Sequence, residues 1–393
     1  MAPVIPVAVC GRPAQGSSAV KCSNPDASGR PHVRLVTRLA LLTTAAFVSG
    51  CATISYYGQA VRGHLALMHA REPMAALIAD QDVPATLRER LRTLANARRF
   101  AVAELALPDN GSYTTYADLG RDYVVWNVVA TPALSLEPVP SCFPVSGCLA
   151  YRGFFDPIAA RRHAAALAAD GHDTYVGGVA AYSTLGWFDD PVVSSMLRYP
   201  DPVVVGIVFH ELVHQRLYFP GDSAFNEALA SAVADAGVRA YLSAADPAAL
   251  GDYAQRRARE RAFVALVLDT RKTLQAVYEG PGADSEKRAR KAEVLKRMRR
   301  RYASLKDDWG GHGGYDRFFD DGLNNARLAS VATYEALVPA FTAILERLDY
   351  DFETFFDRMA ALETMTPTAR AACVRDAATG VAACLAEGGR RGP

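Results

Sequence analysis

Residues 201–237, DPVVVGIVFHELVHQRLYFPGDSAFNEALASAVADAG, predict two helices joined by a tight turn and so decide the fold of the helical part of this chain. Asp201 can cap the first helix, and Pro202 has no N–H group to lose in its first turn. Pro220 and Gly221 end that helix. The turn therefore predicts that the second helix folds back on the first.

Two histidines and one glutamate on the first helix indicate a metal site. His210 and His214 are four residues apart, so both imidazoles project from one helix face, roughly 6 Å apart, and can reach one Zn²⁺ at ~2.1 Å. Glu211 lies about 100° round the helix, where it can act as a general base on a zinc-bound water. The alternative is a pair of core histidines whose nitrogens are satisfied by hydrogen bonds.

Glu227 is the candidate third ligand, because a hydrolytic zinc site has three protein ligands and one open position. It follows Asn226 in the first turn of the second helix, which Asp222 or Ser223 can cap. Folding this helix back places the carboxylate opposite the histidines. The alternative is an acid that only stabilises the helix N-terminus.

The N-terminal residues 36–51, VTRLALLTTAAFVSGC, are typical of a bacterial export signal. The apolar run is too short to span a bilayer, and VSGC resembles the lipobox of bacterial lipoproteins. Residues 1–50 are then an N-terminal extension and signal peptide, and the mature chain begins at a lipidated Cys51. Ala52 resembles the residue that known lipoprotein sorting preferences place after the cysteine, which implies retention at the outer membrane, facing the periplasm. The alternative is a short buried helix with a chance cysteine.

Four cysteines follow Cys51, in two pairs that are close in sequence. The close pairs favour two disulfides in an oxidising compartment, Cys142 with Cys148 and Cys373 with Cys384. Four free buried thiols are the alternative. Half of the chain is apolar and its formal net charge is +1, which provides a large core and argues against nucleic acid as a partner.

The mature chain predicts an α+β fold that is predominantly helical. We expect one domain over residues 51–393, with an N-terminal α/β part over 51–200 and a helical part carrying the zinc site over 201–393. The β-branched and aromatic stretches 112–132 and 174–188 predict a small sheet ahead of the ligand helices.

Two further segments carry predictions. Residues 181–188, AYSTLGWF, are the candidate strand edge along which a substrate backbone lies, and an internal strand is the alternative. Residues 252–307 predict a charged helical hairpin broken only at 280–282. Its basic run 285–306 is either a solvated face or a surface for anionic headgroups.

The two motifs together resemble those of the gluzincin peptidases, which pair HExxH with a downstream Asn-Glu helix such as FNEALASAVADAG here. The resemblance implies a zincin-like fold, one Zn²⁺ held by His210, His214 and Glu227, and Glu211 as the catalytic base. Where thermolysin-like enzymes have an aspartate that orients a ligand histidine, this chain has Ser231. Asp235 or a backbone carbonyl are the alternatives for that role.

A resemblance over nearly the whole mature chain is to zinc aminopeptidases inferred in proteobacteria, many of them predicted lipoproteins. It rests on YYGQAVRGHL, AYSTLGWFDDP, the ligand helices and NNARLASVATYEALVPAF. It implies removal of N-terminal residues from periplasmic peptides. A donor for the transition state is sought among Tyr334, His312 and Tyr315, with Tyr334 preferred.

An exopeptidase must also bind the free α-amine of its substrate, for which Glu137, Asp189 and Asp190 are candidates. An endopeptidase with the same zinc chemistry is the second hypothesis. The third is a non-enzymatic envelope lipoprotein that uses zinc to hold its fold, although a structural zinc site has no use for Glu211. The sequence leaves the oligomeric state open.

Overall fold

The structure is a computed structural model that describes residues 56–143, 147–320, 322–332, 337–380 and 384. Most of it is helical. The helices are α1 (56–69), α2 (Met74–Ala79), α3 (Ala85–Glu104), α4 (Pro157–Ala169), α5 (Asp201–Arg216), α6 (Ser223–Ala245), α7 (Ala249–Glu279), α8 (Asp284–Asp308), α9 (Asp316–Asp320), α10 (Asn325–Ala332), α11 (Val338–Arg347), α12 (Phe352–Ala360) and α13 (Pro367–Thr379). The strands are β1 (Arg71–Pro73), β2 (Thr115–Ala117), β3 (Val125–Pro132), β4 (Ser141–Phe143), β5 (Gly147–Leu149), β6 (Arg152–Phe154), β7 (His172–Val179) and β8 (Val192–Val193). The predicted α+β, predominantly helical fold is confirmed.

Three small sheets precede the ligand helices. The order β6-β3-β7 forms an antiparallel sheet, β1-β2-β8 forms a second one in which β8 runs parallel to β2, and β4 pairs with β5. Successive residues of β3 face opposite sides, so Val128 packs against α4 and Val129 against α10. Among the described residues, no helix combines the length and apolar character needed to cross a membrane.

The strand expected over residues 181–188 does not form, because β7 ends at Val179. The side chains of Thr184 and Asp190 explain this. Asp190 accepts hydrogen bonds from the Thr184 N–H at 2.7 Å and from its hydroxyl at 3.0 Å, and the same hydroxyl accepts from the Phe188 N–H at 3.0 Å. Side chains rather than a neighbouring strand therefore satisfy this backbone, and the chain makes a turn.

Helices α5 and α6 lie in the largest hydrophobic cluster of the protein, with α3, α11 and α12 around them. Small residues allow their close approach. A Cβ atom added at Gly237 of α6 would lie 2.6 Å from Leu105 Cδ1 and 3.0 Å from Phe209 Cδ2. Because Phe209 directly precedes His210, this close packing positions α5, the helix that carries the two histidines, against α6.

The predicted charged hairpin is confirmed as α7 and α8, which are joined across residues 280–283. It has a hydrophobic cluster of its own, formed by Phe263, Leu274, Met298 and Tyr302 among others. The charged side chains of the hairpin lie outside this cluster. Helices α10 to α13 follow the hairpin.

Candidate metal centre

The start of the ligand helix is fixed by an ion pair, not by the predicted cap. Pro200 precedes the first helical residue and no side chain caps α5, so the prediction that Asp201 caps it is wrong. Asp201 instead lies in the first turn, where Arg90 of α3 donates from Nε to its Oδ1 at 2.6 Å. A carboxylate there still suits the helix dipole, and the pair fixes α5 against α3.

The turn between α5 and α6 is fixed by the side chain of Asn226. Its Nδ2 donates to the Phe219 carbonyl at 2.8 Å, and its Oδ1 accepts from the Phe219 N–H at 2.9 Å. Asp222 caps α6 by accepting from the Phe225 N–H at 3.3 Å, which confirms one of the two predicted caps. The two residues of the Asn-Glu motif therefore have different roles. Asn226 holds the turn, and Glu227 faces the histidines.

Arg370 of α13 secures the same turn from outside. Its Nη1 donates to Asp222 Oδ2 at 2.5 Å and its Nη2 to the Met365 carbonyl at 2.9 Å, while its guanidinium lies 4.2 Å from the Phe219 ring centroid. The arginine is buried, so α13 contributes an internal charge pair to the base of the ligand turn.

The two histidines and the glutamate meet as the sequence predicts. Glu227 Oε2 lies 3.1 Å from His210 Nε2, Glu227 Oε1 lies 3.4 Å from His214 Nε2, and the two imidazole nitrogens are 3.1 Å apart. One ligand atom from each residue lies within 4.8 Å of the others. Two imidazole nitrogens and one carboxylate oxygen converging on one point make a donor set that could hold a metal ion.

The electrostatics of the group keep the Glu227 carboxylate ionised and draw a proton to His214, which must leave before that imidazole can bind a cation. Burial alone would raise the pKa of Glu227, but His214 and His210 outweigh it and hold that pKa at about 2. Burial opposes a charged imidazole at His214, yet the Glu227 carboxylate prevails and raises the His214 pKa. A carboxylate therefore remains ionised between the imidazoles, ready to coordinate a cation.

Glu211 is a buried carboxylate that nothing neutralises within the described chain. Only 1% of the residue is exposed, and burial raises its pKa against the influence of His210 and His214. The Ser183 hydroxyl lies beside it, but neither carboxylate oxygen has a hydrogen bond of good geometry. A buried polar group left without a partner costs several kcal/mol, of order 1–3 for a neutral group and more for a charged one.

A second buried acid, Asp190, lies behind Glu211. Burial raises the Asp190 pKa to about 7 even though Thr184 donates two hydrogen bonds to one of its oxygens. Its other oxygen and the hydroxyl of Tyr113 are buried without partners among the described residues. Burial is the largest cause of the raised Tyr113 pKa, and the charges of Glu211 and Asp190 raise it further. Three polar side chains, Ser183, Tyr113 and Asp190, therefore surround the candidate base Glu211.

Several predicted contributors lie elsewhere. Tyr315 stacks on Phe263 in the hairpin core, with ring centroids 4.0 Å apart, and its rival His312 interacts with Arg259 and Arg256 of α7. Tyr334, the preferred donor, and Cys51, the expected lipid-bearing residue, lie outside the described residues.

The expected partner of the ligand histidines is also engaged elsewhere. Asp235 accepts from Arg239 at 3.0 Å and from Tyr253 and Arg257 at 2.8 Å, so it cannot orient His214. The Nδ1 atom of His214 has no hydrogen-bond partner among the described residues.

Of the three acids considered for binding a substrate amine, Asp190 is the one whose carboxyl interacts with Glu211. Glu137 is exposed and interacts with Arg271, and Asp189 is exposed with its carboxylate against Gly111. Both expected cysteine pairs are disulfide-bonded in the structure, Cys142 with Cys148 and Cys373 with Cys384.

The sequence analysis missed two residues near the candidate site, Tyr218 and Tyr113. The Tyr218 ring centroid lies 6.2 Å from that of His214. The Tyr218 pKa is raised mainly by burial and further by the Glu227 carboxylate. The position of Tyr218 four residues after His214 was an available signal. No comparable signal pointed to Tyr113, which is a loop residue with a backbone φ of 59°.

The family comparison accounts for most of the chain. A family model described as "Putative aminopeptidase" matches residues 55–374, which include the whole donor set and the Glu211 cluster. The chain belongs to this family. No curated protein and no solved structure matches the chain. The converging donor set therefore lies within the part of the chain that the family model matches.

Proposed function

We propose that this chain is a zinc-dependent peptidase of zincin-like arrangement, and specifically an aminopeptidase acting on peptides. His210, His214 and Glu227 are the metal ligands in this proposal, and Glu211 is the general base. The observation that carries it is the unpaired, buried Glu211 carboxylate directly following the first ligand. A site that used a metal only to hold the fold would leave this carboxylate buried with no compensating role.

The donor set fits zinc because two neutral imidazoles and one carboxylate are ligands that zinc takes in hydrolytic sites. When bound, the ion would lower the pKa of a water and polarise the scissile carbonyl. Glu211 takes the proton of the attacking water and hands it to the departing amine. Tyr218, half-buried beside the ligands, is the candidate donor to the developing oxyanion.

The test of the base uses Glu211→Gln, with Glu279→Gln in α7 as the matched control because Glu279 is exposed on the hairpin. We expect Glu211→Gln to keep one equivalent of zinc by elemental analysis and to lose at least ~10²-fold in kcat on a peptide substrate, with the control unchanged. Retained activity in Glu211→Gln would remove Glu211 from the mechanism. Absence of hydrolysis in the zinc-loaded wild-type protein would favour the structural-zinc alternative.

The direction of attack is tested with paired substrates. An aminopeptidase cleaves a peptide with a free α-amine and leaves its N-acetylated counterpart intact. The family description supports this outcome. Equal cleavage of both peptides would instead establish the endopeptidase alternative.

We also propose that the mature chain is lipid-anchored through Cys51 in the cell envelope, faces the periplasm, and is retained at the outer membrane. The support is the sequence of residues 36–51 with Ala52 after the cysteine. Metabolic labelling with a palmitate analogue checks it. Label should appear on the wild-type chain and disappear in Cys51→Ala, and label retained by that variant would reject the anchor.

A further inference from the structure

Large apolar side chains on the described surface concentrate beside α1. Of the eight that are exposed, three lie on this helix at spacings of four residues, Tyr57 at 39%, Val61 at 58% and Leu65 at 51% exposure. This spacing places them in one stripe along the helix. The opposite side of α1 is occupied by the protein, since Gln59 accepts from the Phe155 N–H and Gly63 lies against the Phe155 ring.

Two exposed aromatic residues extend the stripe. Trp187 at 59% and Phe188 at 51% exposure lie in the turn that replaces the expected strand. The Phe188 ring centroid is 4.6 Å from that of His64, which is one residue before Leu65. We name Tyr57, Val61, Leu65, Trp187 and Phe188 the α1 apolar surface.

The turn presents its aromatic residues rigidly. The Trp187 N–H donates to the Thr184 carbonyl at 3.2 Å, and the Phe188 N–H donates to the Thr184 hydroxyl at 3.0 Å. Leu185 and Gly186 before them have φ of 54° and 81°. Two large hydrophobic rings held outward at a hydrogen-bonded turn indicate an interaction surface, because monomeric proteins rarely leave such patches in water.

We propose that the α1 apolar surface rests in the headgroup layer of a phospholipid bilayer. Its chemistry fits that occupant: Trp and Tyr are enriched at membrane interfaces, and residues 56–69 contain no Asp or Glu but do contain the exposed Arg62. Basic and aromatic side chains along an acid-free helix are attracted to an anionic surface.

The position of α1 in the chain supports the same occupant. Tyr56 follows Cys51 by five residues, a distance that an extended chain spans in at most about 18 Å. A lipid on Cys51 would therefore hold this end of α1 within reach of the bilayer. The surface itself is described independently of that anchor, so the two proposals can fail separately.

The experiment removes the anchor and follows Trp187. The mature chain from residue 51, carrying Cys51→Ser and without the apolar run of residues 39–48, is mixed with phosphatidylglycerol-containing vesicles that include brominated phospholipid, which quenches tryptophan on contact. We expect quenching of the wild-type surface and none in Trp187→Phe, because Trp126 and Trp309 are not among the exposed residues of the chain. Vesicle co-flotation should fall at least tenfold in Val61→Glu/Leu65→Glu.

The matched control is Leu268→Glu, an exposed leucine on α7 with 38% exposure, which should bind vesicles as the parent does. Flotation that is equal in the parent and in Val61→Glu/Leu65→Glu would overturn the proposal. Two other results would also overturn it: a dimer that the double variant dissociates in sedimentation, or a raised KM on a soluble peptide with vesicle binding unchanged. The first would make the surface an interface between copies, and the second would make it part of the substrate cleft.

Discussion

The protein contains two pairs of helices that turn back across a Pro-Gly sequence, and they differ in what they bury. Helices α5 and α6 turn at Pro220-Gly221, and α7 and α8 turn at Pro281-Gly282. The first pair buries four polar side chains, Glu211, His214, Asn226 and Glu227. The polar side chains of the second pair lie mostly in water, apart from Thr270.

This difference separates chemistry from structure in the same kind of hairpin. Polar groups in water gain little from pairing, because solvent already satisfies them. Buried polar groups cost free energy unless they are paired, and α3 and α13 support α5 and α6 with the ion pairs to Asp201 and Asp222. Changes of matched chemistry in the two pairs should therefore have unequal effects.

The largest difference is expected for an acid in each pair. Glu227→Gln keeps the shape of the side chain but removes a charged donor, so we expect zinc affinity to fall by more than ~100-fold, beyond the ~10–100-fold effect of losing a partner outside the donor set. Hydrolysis should be lost with it. Glu279→Gln on α7 is the control and should leave zinc content and rate unchanged. Full zinc occupancy in Glu227→Gln, measured by competition with a chelator, would show that the donor set is misassigned.

Ion pairs offer the next comparison. Arg370→Met leaves the Asp222 carboxylate, whose side chain is 11% exposed, without its cation and should lower the free energy of unfolding by about 3 kcal/mol. Arg301→Met breaks a pair with Asp269 that is half exposed on the hairpin and should cost less than about 1 kcal/mol. Urea unfolding measures both. Equal losses would mean that α13 does not secure the ligand turn.

Much of the metal centre follows from sequence because its determinants are local. Helical periodicity sets the positions of His210 and His214, and the Pro-Gly turn returns Glu227 to them. The hairpin and its break at residues 280–282 follow from the same kind of signal. The α+β class follows from the change of period along the chain.

What escaped prediction depends on contacts between distant segments. Asp201 pairs with Arg90 of α3 instead of capping α5, and Asp235 pairs with Arg257 of α7 instead of with a ligand histidine. Residues 181–188 have strand-like composition, but Asp190 satisfies their backbone instead of a neighbouring strand. Pairings across long stretches of sequence leave no local periodicity by which to foresee them.

Hydrogen bonds in each pair give a smaller contrast. Asn226→Ala removes both bonds that hold the buried Phe219 backbone, so we expect a loss of about 1–3 kcal/mol in stability together with weaker zinc binding. Gln275→Ala removes an exposed bond to Glu279 on α7 and should change stability by less than about 0.5 kcal/mol. Stability lost in Asn226→Ala without any change in zinc affinity would separate the turn from the placement of Glu227.

The smallest expected effect is the change in the free energy of unfolding with pH. This change should have opposite signs in the two regions. Burial raises the Asp190 pKa from 3.8 to about 7, so between these values the folded protein binds the extra proton. The free energy of unfolding therefore falls as the pH rises through this window, by at most about 1.4 kcal/mol per pH unit. Asp190→Asn should reduce that slope, the remainder belonging to Glu211, whose pKa burial also raises, and a slope unchanged in this variant would place the titration elsewhere.

Beside the hairpin, Asp316 has the reverse behaviour. Hydrogen bonds from Lys306 and Tyr302 lower its pKa, so its contribution is present above the unfolded pKa of 3.8 and is lost as the pH falls below that value. Asp316→Asn should remove only this acid-side loss, because its partners lie on α8 and not in the buried cluster around Glu211. Urea midpoints collected from pH 3 to 8 on the two variants thus read the two regions separately: a buried acid that is destabilised by ionising, and a solvated one that is stabilised by it.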